Sequence, residues 1–291
     1  MRAAMGLDEL LAETGWLADH LNDPSVRIVD IRGIIKPVTE PRPWYFSNRA
    51  AYERSHIPGA VYVDWLQDLV DLDAQIKMFP APQEKLARVL GRFGLGDGHT
   101  IIVYDDDGGL IASRFWWLLH YYGHPAARLL NGGWTKWVAE SRPVTAEPPC
   151  HPPAVFTPRI VPEWKVGPEE VRRAIGAPGV TIVDARSRKE YRGEITRGTR
   201  TGRIPTAVNV FFRNLVEGEH KTWKPEAEIR KLFEEAGVTL DQRVICYCNA
   251  GVSAAADLFA LKLAGYPNAV NFAGSWYEWE SDPSNPVESD A

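Results

Sequence analysis

The sequence repeats one pattern of short motifs in its two halves. Five motifs of the first half recur in the same order in the second half of this 291-residue chain. We interpret the chain as a tandem duplication, which limits it to folds that can be built twice side by side. A prior of roughly 150 residues per domain also favours two domains. The paired segments are 28–32 with 182–186, 56–61 with 203–208, 102–105 with 245–248, 123–125 with 265–267, and 132–137 with 274–279.

Each half alternates short apolar strands with longer helical segments. This alternation is typical of an α/β domain, in which helices flank a parallel sheet. Ligands of such sheets bind beyond the carboxyl ends of the strands. We therefore predict an α/β fold with two tandem domains, each a parallel sheet flanked by helices. The predicted strands are 26–31, 61–63, 100–104 and 128–130, then 180–184, 207–210, 243–247 and 269–272. The predicted helices are 82–93, 112–122, 168–175, 225–236 and 253–264.

A proline-dense segment separates the two halves. Residues 147–153 read Glu-Pro-Pro-Cys-His-Pro-Pro, a composition that predicts an extended linker. We therefore predict a first domain over residues 1–146, a linker over 147–164 and a second domain over 165–291. At the N-terminus, residues 1–21 mix acidic with apolar side chains, which predicts an amphipathic helix and not a signal peptide.

The composition disfavours several classes of function. A net charge of −5 leaves no broad cationic surface, so we predict neither a nucleic-acid partner nor membrane binding. No apolar stretch approaches the length of a transmembrane helix. Cys150, Cys246 and Cys248 match neither a disulfide framework nor a metal site. We therefore predict no metal, no cofactor and a reducing, cytoplasmic location.

The segment from Arg243 to Ala256 has the arrangement of residues that is most typical of a reactive site. It reads as a buried strand that ends at Cys248, a loop of small residues, and an alanine-rich helix from about Ser253. Backbone N–H groups converge on such a loop, and the helix dipole adds positive potential. Cysteines at helix N-termini ionise readily. Cys248 is therefore the predicted nucleophile, and a buried structural cysteine is the alternative.

Together these motifs resemble the rhodanese family, specifically its two-domain sulfurtransferases. The resemblance rests on Gly-His-Pro before Asn131, the two Ile-Pro turns, the Cys248 loop and the closing segment 274–279. It covers nearly the whole chain. It implies two rhodanese-like domains, of which the first is catalytically silent and the second is active. The repeat supports this asymmetry, because Asp105 stands where the second half has Cys248.

The resemblance implies ping-pong transfer of a sulfane sulfur. Cys248 would take the sulfur from thiosulfate as a persulfide and pass it to cyanide or a thiol acceptor. The terminal sulfur of a persulfide is anionic, so it requires a cradle of backbone N–H groups. We predict that five residues of the loop supply this cradle. They are Asn249, Ala250, Gly251, Val252 and Ser253.

The residues around the predicted cradle match neither subgroup of the family. Thiosulfate-specialised members carry basic residues where this chain has Asn249 and Ala250, and mercaptopyruvate-using members carry Gly-Ser-Gly after the cysteine. An arginine that helps bind the donor in both groups is replaced by Glu190. Among the arginines nearby, we predict that Arg192 and Arg200 bind the anionic donor. 3-Mercaptopyruvate is the alternative donor, and a non-catalytic rhodanese-like binding protein is the alternative function.

Three further interpretations concern single residues. A phosphatase of this fold requires an arginine where this chain has Ala254, so phosphatase chemistry is disfavoured. Asp105, Asp106 and Asp107 lack the spacing of a calcium loop, and we interpret them as a solvated turn. His56 stands at a position that mercaptopyruvate-using members place near the cleft, and we interpret it as structural.

Overall fold

The two halves of the chain repeat one architecture, a parallel sheet with helices on both faces. The structure is a computed structural model that describes residues 6–290. Apart from the predicted N-terminal helix, the predicted strands and helices are present, with ends that differ by a residue or two. The α/β fold with two such domains is confirmed.

The first domain contains a five-stranded parallel sheet in the order β1-β7-β6-β2-β5 and an antiparallel pair, β3 with β4. Its strands are β1 (Leu11–Ala12), β2 (Val26–Asp30), β3 (Gly33–Ile35), β4 (Tyr45–Ser47), β5 (Ala60–Tyr62), β6 (Thr100–Tyr104) and β7 (Ala127–Leu130). Its helices are α1 (Leu7–Leu10), α2 (Thr14–Asp19), α3 (Arg49–Arg54), α4 (Gln83–Arg92), α5 (Leu110–Tyr121) and α6 (Gly133–Ala139).

The second domain contains a four-stranded parallel sheet in the order β13-β12-β8-β9 and an antiparallel pair, β10 with β11. Its strands are β8 (Val180–Asp184), β9 (Val208–Asn209), β10 (Val216–Glu217), β11 (Thr222–Trp223), β12 (Arg243–Tyr247) and β13 (Ala269–Asn271). Its helices are α7 (Pro168–Ala174), α8 (Arg188–Arg192), α9 (Glu226–Glu235), α10 (Val252–Leu263) and α11 (Ser275–Ser281), with 3₁₀ helices at Pro162–Trp164 and Phe212–Leu215.

The N-terminal segment does not form the predicted amphipathic helix. Residues 1–5 of that prediction lie outside the described residues, and the remainder is divided into α1, β1 and α2. The division arises because Leu11 and Ala12 pair with β7 and extend the first sheet by one edge strand. Within residues 6–290, no helix is long and apolar enough to cross a bilayer.

Helices α5 and α10 pack against each other and join the two domains. Both helices are apolar on nearly every face, which is typical of a helix buried on all sides. Trp116 of α5 and Phe259 of α10 meet edge to face, with ring centroids 4.9 Å apart. One core cluster therefore contains residues of both domains.

The predicted linker runs along the first domain. Residues 148–161 form no helix or strand. Backbone hydrogen bonds nevertheless fix the segment, from Ala154 to Gly91 at 2.9 Å and from Val161 to Tyr121 at 2.8 Å. The boundaries of the two domains and the linker remain predictions.

Candidate active site

Cys248 lies between β12 and α10, at the carboxyl edge of the second sheet. Its side chain is 3 % exposed and lines a cavity of about 430 Å³ that both domains enclose. Gly251 has a left-handed conformation (φ 74°) and directly precedes α10. The loop residues that line the same cavity are Asn249, Ala250, Val252 and Ser253.

The start of α11 fixes the outer side of the Cys248 loop. The backbone carbonyls of Cys248 and Asn249 accept hydrogen bonds from the N–H groups of Trp276 and Tyr277, each at 3.0 Å. The Ser275 hydroxyl accepts a hydrogen bond from the Cys248 N–H at 3.0 Å. Because the C=O and N–H of a trans peptide point in opposite directions, the N–H groups of the next two residues face the inside of the loop.

The Gly251 carbonyl is also turned away from the inside of the loop. It accepts hydrogen bonds from the side chains of Asn271, at 3.2 Å, and Arg114, at 3.4 Å. A Cβ at position 251 would lie 2.4 Å from the Ala273 carbonyl oxygen, so glycine is required here. The Val252 N–H therefore faces inward as well. Arg114 comes from α5 of the first domain and was not predicted from the sequence.

The corresponding loop of the first domain shows what such N–H groups bind. Asp105 follows β6 as Cys248 follows β12, and its carboxylate is buried. Burial raises the pKa of Asp105, and backbone donors oppose that rise. The predicted solvated turn is therefore wrong for Asp105, because its side chain folds inward onto peptide N–H groups. Four N–H groups donate to it at 2.8 or 2.9 Å, those of Asp107, Gly109, Ile111 and Ala112.

The start of α10 corresponds to the start of α5, although the loop after β12 is one residue shorter than the loop after β6. Helices α5 and α10 have the same length and both follow a left-handed glycine. By this equivalence, Ser253 and Ala254 carry the N–H groups that Ile111 and Ala112 carry in the first domain. Within residues 6–290, the backbone N–H groups of residues 249–254 have no protein acceptor. By the same equivalence, the predicted cradle of residues 249–253 would extend by one residue, to Ala254.

Asp107 of the first-domain loop binds the second domain. Its carboxylate accepts two hydrogen bonds from Arg213, at 3.0 and 2.9 Å, and one from Lys221 at 2.5 Å. Burial acts to raise the pKa of Asp107, but these two cations outweigh it and lower the pKa. Arg213 lines the cavity, so the first domain fixes a cation at its rim.

The structure does not bring the two predicted donor-binding arginines to the cavity. Arg192 ends α8, is 47 % exposed, and lies 4.0 Å from Glu194. Arg200 donates to the backbone carbonyls of Asp282 and Asn285 at 3.4 and 3.0 Å. Neither side chain lines the cavity, because one points to solvent and the other is held by the C-terminal segment.

Arg197 comes from the same arginine-rich stretch as Arg192 and Arg200 and was not selected from the sequence. It lines the cavity and is 9 % exposed. Its Nη2 donates to the Lys36 carbonyl at 2.6 Å, and its guanidinium lies over the rings of Trp44 and Tyr45. Its Nε lies 3.7 Å from a Glu190 oxygen, while Nη1 is buried and has no partner among the described residues. A buried, unpaired N–H donor of a cation suits an anionic ligand.

Glu190 links the start of α8 to the Cys248 loop. It forms a capping box with Ser187, in which each side chain hydrogen-bonds the other residue's backbone N–H. Its second oxygen accepts from Asn249 Nδ2 at 2.9 Å. This bond fixes the Asn249 amide, whose Oδ1 is buried without a partner among the described residues. Glu190 therefore holds both the loop and Arg197.

Two tyrosines beside the cysteine were not predicted from the sequence. The hydroxyl groups of Tyr45, from the first domain, and Tyr277, from α11, are 3.2 Å apart. Burial raises the pKa of both, and a negative charge on Cys248 raises them further. Both therefore remain neutral O–H donors. The sequence contains one weak indication for Tyr277, which is that the two halves differ there: the first half of the repeat has Thr135 at the equivalent position.

Asp184 and His56 are both buried, and their bonding partners indicate structural roles. Asp184 is fully buried and binds Arg186 through both oxygens, and this ion pair outweighs burial and raises the arginine's pKa. His56 is also fully buried, with its ring nitrogens 2.8 and 3.1 Å from the backbone carbonyls of Tyr52 and Glu147. Within the described residues, no group of His, Cys, Asp and Glu side chains could hold a metal ion.

Comparison with known proteins gives consistent matches over both domains. A family model described as a rhodanese-like domain matches residues 13–140 and 167–282. The chain is 33 % identical over 298 residues to the sulfur carrier protein TtuD of Thermus thermophilus, covering 96 % of each protein. It is 31 % identical to the thiosulfate sulfurtransferase of Azotobacter vinelandii, covering 96 % of this chain and 97 % of that protein.

A solved structure extends this similarity to the arrangement of the domains. SseA from Escherichia coli, described as a 3-mercaptopyruvate sulfotransferase, superposes with a TM-score of 0.79 at 31 % identity. The match covers 91 % of this chain and 98 % of that one.

Proposed function

Since the chain belongs to the rhodanese family of sulfurtransferases, we propose that it moves the sulfane sulfur of thiosulfate to cyanide or a thiol, with Cys248 as the carrier. The observation that carries this proposal is the pair of equivalent loops. One loop surrounds a buried carboxylate with four backbone N–H groups, and by this likeness the other loop would direct such groups toward Cys248.

The Asp105 side chain has the connectivity of a cysteine persulfide. In both groups, the outer atom two bonds from Cβ carries negative charge, as Cβ–Cγ–Oδ in the aspartate, which has two such oxygens, and Cβ–Sγ–S in the persulfide, which has one such sulfur. The N–H groups that bind Asp105 at both carboxylate oxygens therefore model the binding of a persulfide by the second loop. This likeness supports Cys248 as a sulfur carrier more directly than its position alone.

In the first half-reaction, the Cys248 thiolate attacks the outer sulfur of thiosulfate. The new bond joins the two sulfurs, the sulfur–sulfur bond of thiosulfate breaks, and sulfite leaves with its electron pair. Cys248 then carries an anionic outer sulfur, which the loop N–H groups stabilise. Arg197 is placed to hold the anionic end of the donor through its unpaired Nη1.

In the second half-reaction, the acceptor attacks the outer sulfur of the persulfide. Cyanide forms a carbon–sulfur bond and leaves as thiocyanate, and the Cys248 thiolate receives the electron pair of the broken sulfur–sulfur bond. A thiolate acceptor leaves instead as a persulfide. Either path restores the starting enzyme, as ping-pong transfer requires.

3-Mercaptopyruvate is the second candidate donor. Its carboxylate would bind the same buried Arg197 guanidinium, and the loop after Cys248 lacks any cation that would favour a sulfonate. The structural match to SseA agrees with this candidate. One observation disfavours it. His56 stands at a position that mercaptopyruvate-using members place near the cleft, but here both of its ring nitrogens contact backbone carbonyls. Steady-state assays with each donor distinguish the two candidates, and thiosulfate is expected to give the higher kcat/KM.

The residue assignment is tested by three single substitutions. Cys248→Ser is expected to abolish thiocyanate formation from thiosulfate and cyanide, because serine cannot carry the sulfane sulfur. Cys246→Ser and Cys150→Ser are matched controls and should retain most activity, since one side chain lies in β12 and the other is exposed. Substantial turnover by Cys248→Ser would disprove the assignment, whereas a wild-type protein without turnover from either donor would favour the non-catalytic alternative.

A further inference from the structure

The Gly251 carbonyl departs from the usual geometry at the start of a helix. The residue before a helix ordinarily accepts the first helical hydrogen bond, as Gly109 does from Ser113 N at 2.8 Å. Among the described residues, Gly251 accepts no well-aligned bond of this kind from Ala255. Its carbonyl is held instead by the side chains of Asn271 and Arg114. Two side chains thus set the orientation of the peptide that presents the Val252 N–H.

Arg114 is a buried cation without an anionic partner. It is 4 % exposed, and its guanidinium donates to the carbonyls of Gly251 and Met78, at 3.4 and 3.1 Å, and lies over the Trp117 ring. Among the described residues, no carboxylate pairs with it. Burial lowers the pKa of Arg114 to about 10, and a negative charge on Cys248 opposes this, so the side chain is charged at neutral pH. A buried charge is costly unless a counter-charge is nearby.

The duplication provides an internal control for these two residues. Arg114 is the fifth residue of α5, and the fifth residue of α10 is Ala256. Asn271 pairs with Cys246 in the second sheet, and Leu129 has the same place in the first. The side chains of Ala256 and Leu129 cannot donate a hydrogen bond. The silent loop therefore folds without either donor, so the fold itself does not require them.

We propose that Arg114, supplied by the first domain, is a positioning residue for sulfur transfer: together with Asn271 it turns the Gly251 carbonyl away from the sulfur, and its charge is the counter-charge of the Cys248 sulfur. The proposal rests on the carrier function proposed above. It gives the silent domain a direct part in the reaction. The silent loop needs no such cation, because four N–H groups already bind the Asp105 side chain.

The test compares Arg114→Gln, Arg114→Lys and Asn271→Leu with the wild type. The first readout is the rate of Cys248 alkylation by iodoacetamide as a function of pH, which involves neither donor nor turnover. Arg114→Gln is expected to move the midpoint of this profile upward by about one pH unit, the effect of losing a nearby opposite charge. Arg114→Lys retains the charge and should restore the wild-type midpoint.

The second readout is steady-state kinetics with thiosulfate and cyanide. Arg114→Gln should lower kcat about tenfold with little change in KM, since the side chain does not line the donor cavity. Asn271→Leu installs the residue of the silent domain and should lower kcat while leaving the alkylation profile unchanged. A wild-type alkylation profile in Arg114→Gln would overturn the counter-charge, and a wild-type kcat in Asn271→Leu would overturn the role of the carbonyl.

If Arg114→Gln does not fold, the counter-charge can be tested on the wild-type protein. Carboxymethylation of Cys248 adds a negative charge, whereas carbamidomethylation adds a neutral group of similar size. The carboxymethylated protein is expected to have the higher melting temperature, and equal temperatures would refute the counter-charge. Because alkylation needs no sulfur transfer, these outcomes are distinct from a failure of the carrier function, which Cys248→Ser tests.

Discussion

Cys246 and Cys248 are two residues apart, yet their surroundings give them different chemistry. Cys246 is fully buried in β12, and burial raises its pKa well above the usual range, with the nearby Asp257 adding to the effect. It therefore remains a thiol. Cys248 leaves the strand and enters the loop, whose backbone N–H groups have no acceptor among the described residues. The position of the strand end in the sequence is what made Cys248 predictable.

The donor-binding role is expected at Arg197. Arg197→Ala removes a charge-assisted contact of about 1.5–3 kcal/mol, so kcat/KM for an anionic donor should fall roughly 10- to 150-fold. Arg192→Ala and Arg200→Ala are matched controls, and each should change kcat/KM by less than about twofold, as surface substitutions do. Assays with thiosulfate and with 3-mercaptopyruvate check the three variants. A larger loss in either control than in Arg197→Ala would contradict this reassignment.

The choice among the arginines could not be made from the sequence. All of them follow β8 in a stretch whose one described helix, α8, has five residues, too few for periodicity to indicate which side chain points inward. Arg197 is selected by contacts with Lys36, Trp44 and Tyr45, which come from the other domain. Such contacts between distant segments are fixed by tertiary packing and leave no local pattern.

At the scale of elements, the loop after β6 is expected to be structural. Asp105→Ala would leave four buried N–H groups without their acceptor, so the free energy of unfolding should fall by about 3 kcal/mol or more. Turnover per folded molecule should not change. Asp106→Ala is the matched control, with an expected loss below about 1 kcal/mol. Urea denaturation and a thiocyanate assay measure both quantities, and a stable Asp105→Ala protein would contradict the proposed anion cradle.

Helix α10 carries a buried acid that should make stability depend on pH. Asp257 is fully buried, neither oxygen has a partner among the described residues, and burial raises its pKa well above the usual value, with the Asp184 charge adding to this. The folded protein therefore holds a proton that the unfolded chain releases at its ordinary pKa. The stability linked to this group is fully present below the unfolded pKa and is lost as pH rises toward the folded pKa.

Asp257→Asn removes this dependence. Between the two pKa values, the variant should gain stability relative to the wild type by up to about 1.4 kcal/mol per pH unit. Urea denaturation at a mildly acidic and a neutral pH measures the difference. An equal difference in free energy of unfolding at both pH values would show that Asp257 does not titrate in this range.

The elements that the sequence predicted are those with long periodic patterns. Strands such as β6 and β12 are continuous apolar runs because helices cover both faces of each sheet. Segments such as β1 and the β10–β11 pair are two residues per strand, too short for any periodicity to mark them. The prediction of one N-terminal helix was wrong because it missed β1. The pairing of β1 with β7 outweighed the helical pattern of the segment.

For the whole molecule, the second domain is expected to depend on the first. A protein of residues 160–291 alone would expose the apolar face of α10 and lose Arg114 and Tyr45 from the site. We expect a low melting temperature and weak turnover. Thermal unfolding and a thiocyanate assay of this fragment beside the full chain provide the check. Full activity and equal heat resistance would show that the first domain is dispensable, contrary to the inference about Arg114.

The duplication itself, and the aspartate that the first half has in place of Cys248, were visible in the sequence. What the sequence did not show is which side chains of the first domain reach the cavity beside Cys248. Arg114, Tyr45 and the Asp107 carboxylate all act across the interface on residues more than a hundred positions away. Comparing the two halves identifies which residues differ, but only packing shows that they meet.

The most direct test of the account is the mass of the intact protein after incubation with thiosulfate and removal of the excess. We expect the wild-type chain to gain the mass of one sulfur atom, located on the peptide that contains Cys248. Later addition of cyanide should remove this mass and release thiocyanate. The Cys248→Ser protein should gain nothing. A wild-type chain that gains no sulfur from thiosulfate or 3-mercaptopyruvate, or a Cys248→Ser chain that does, would contradict the account.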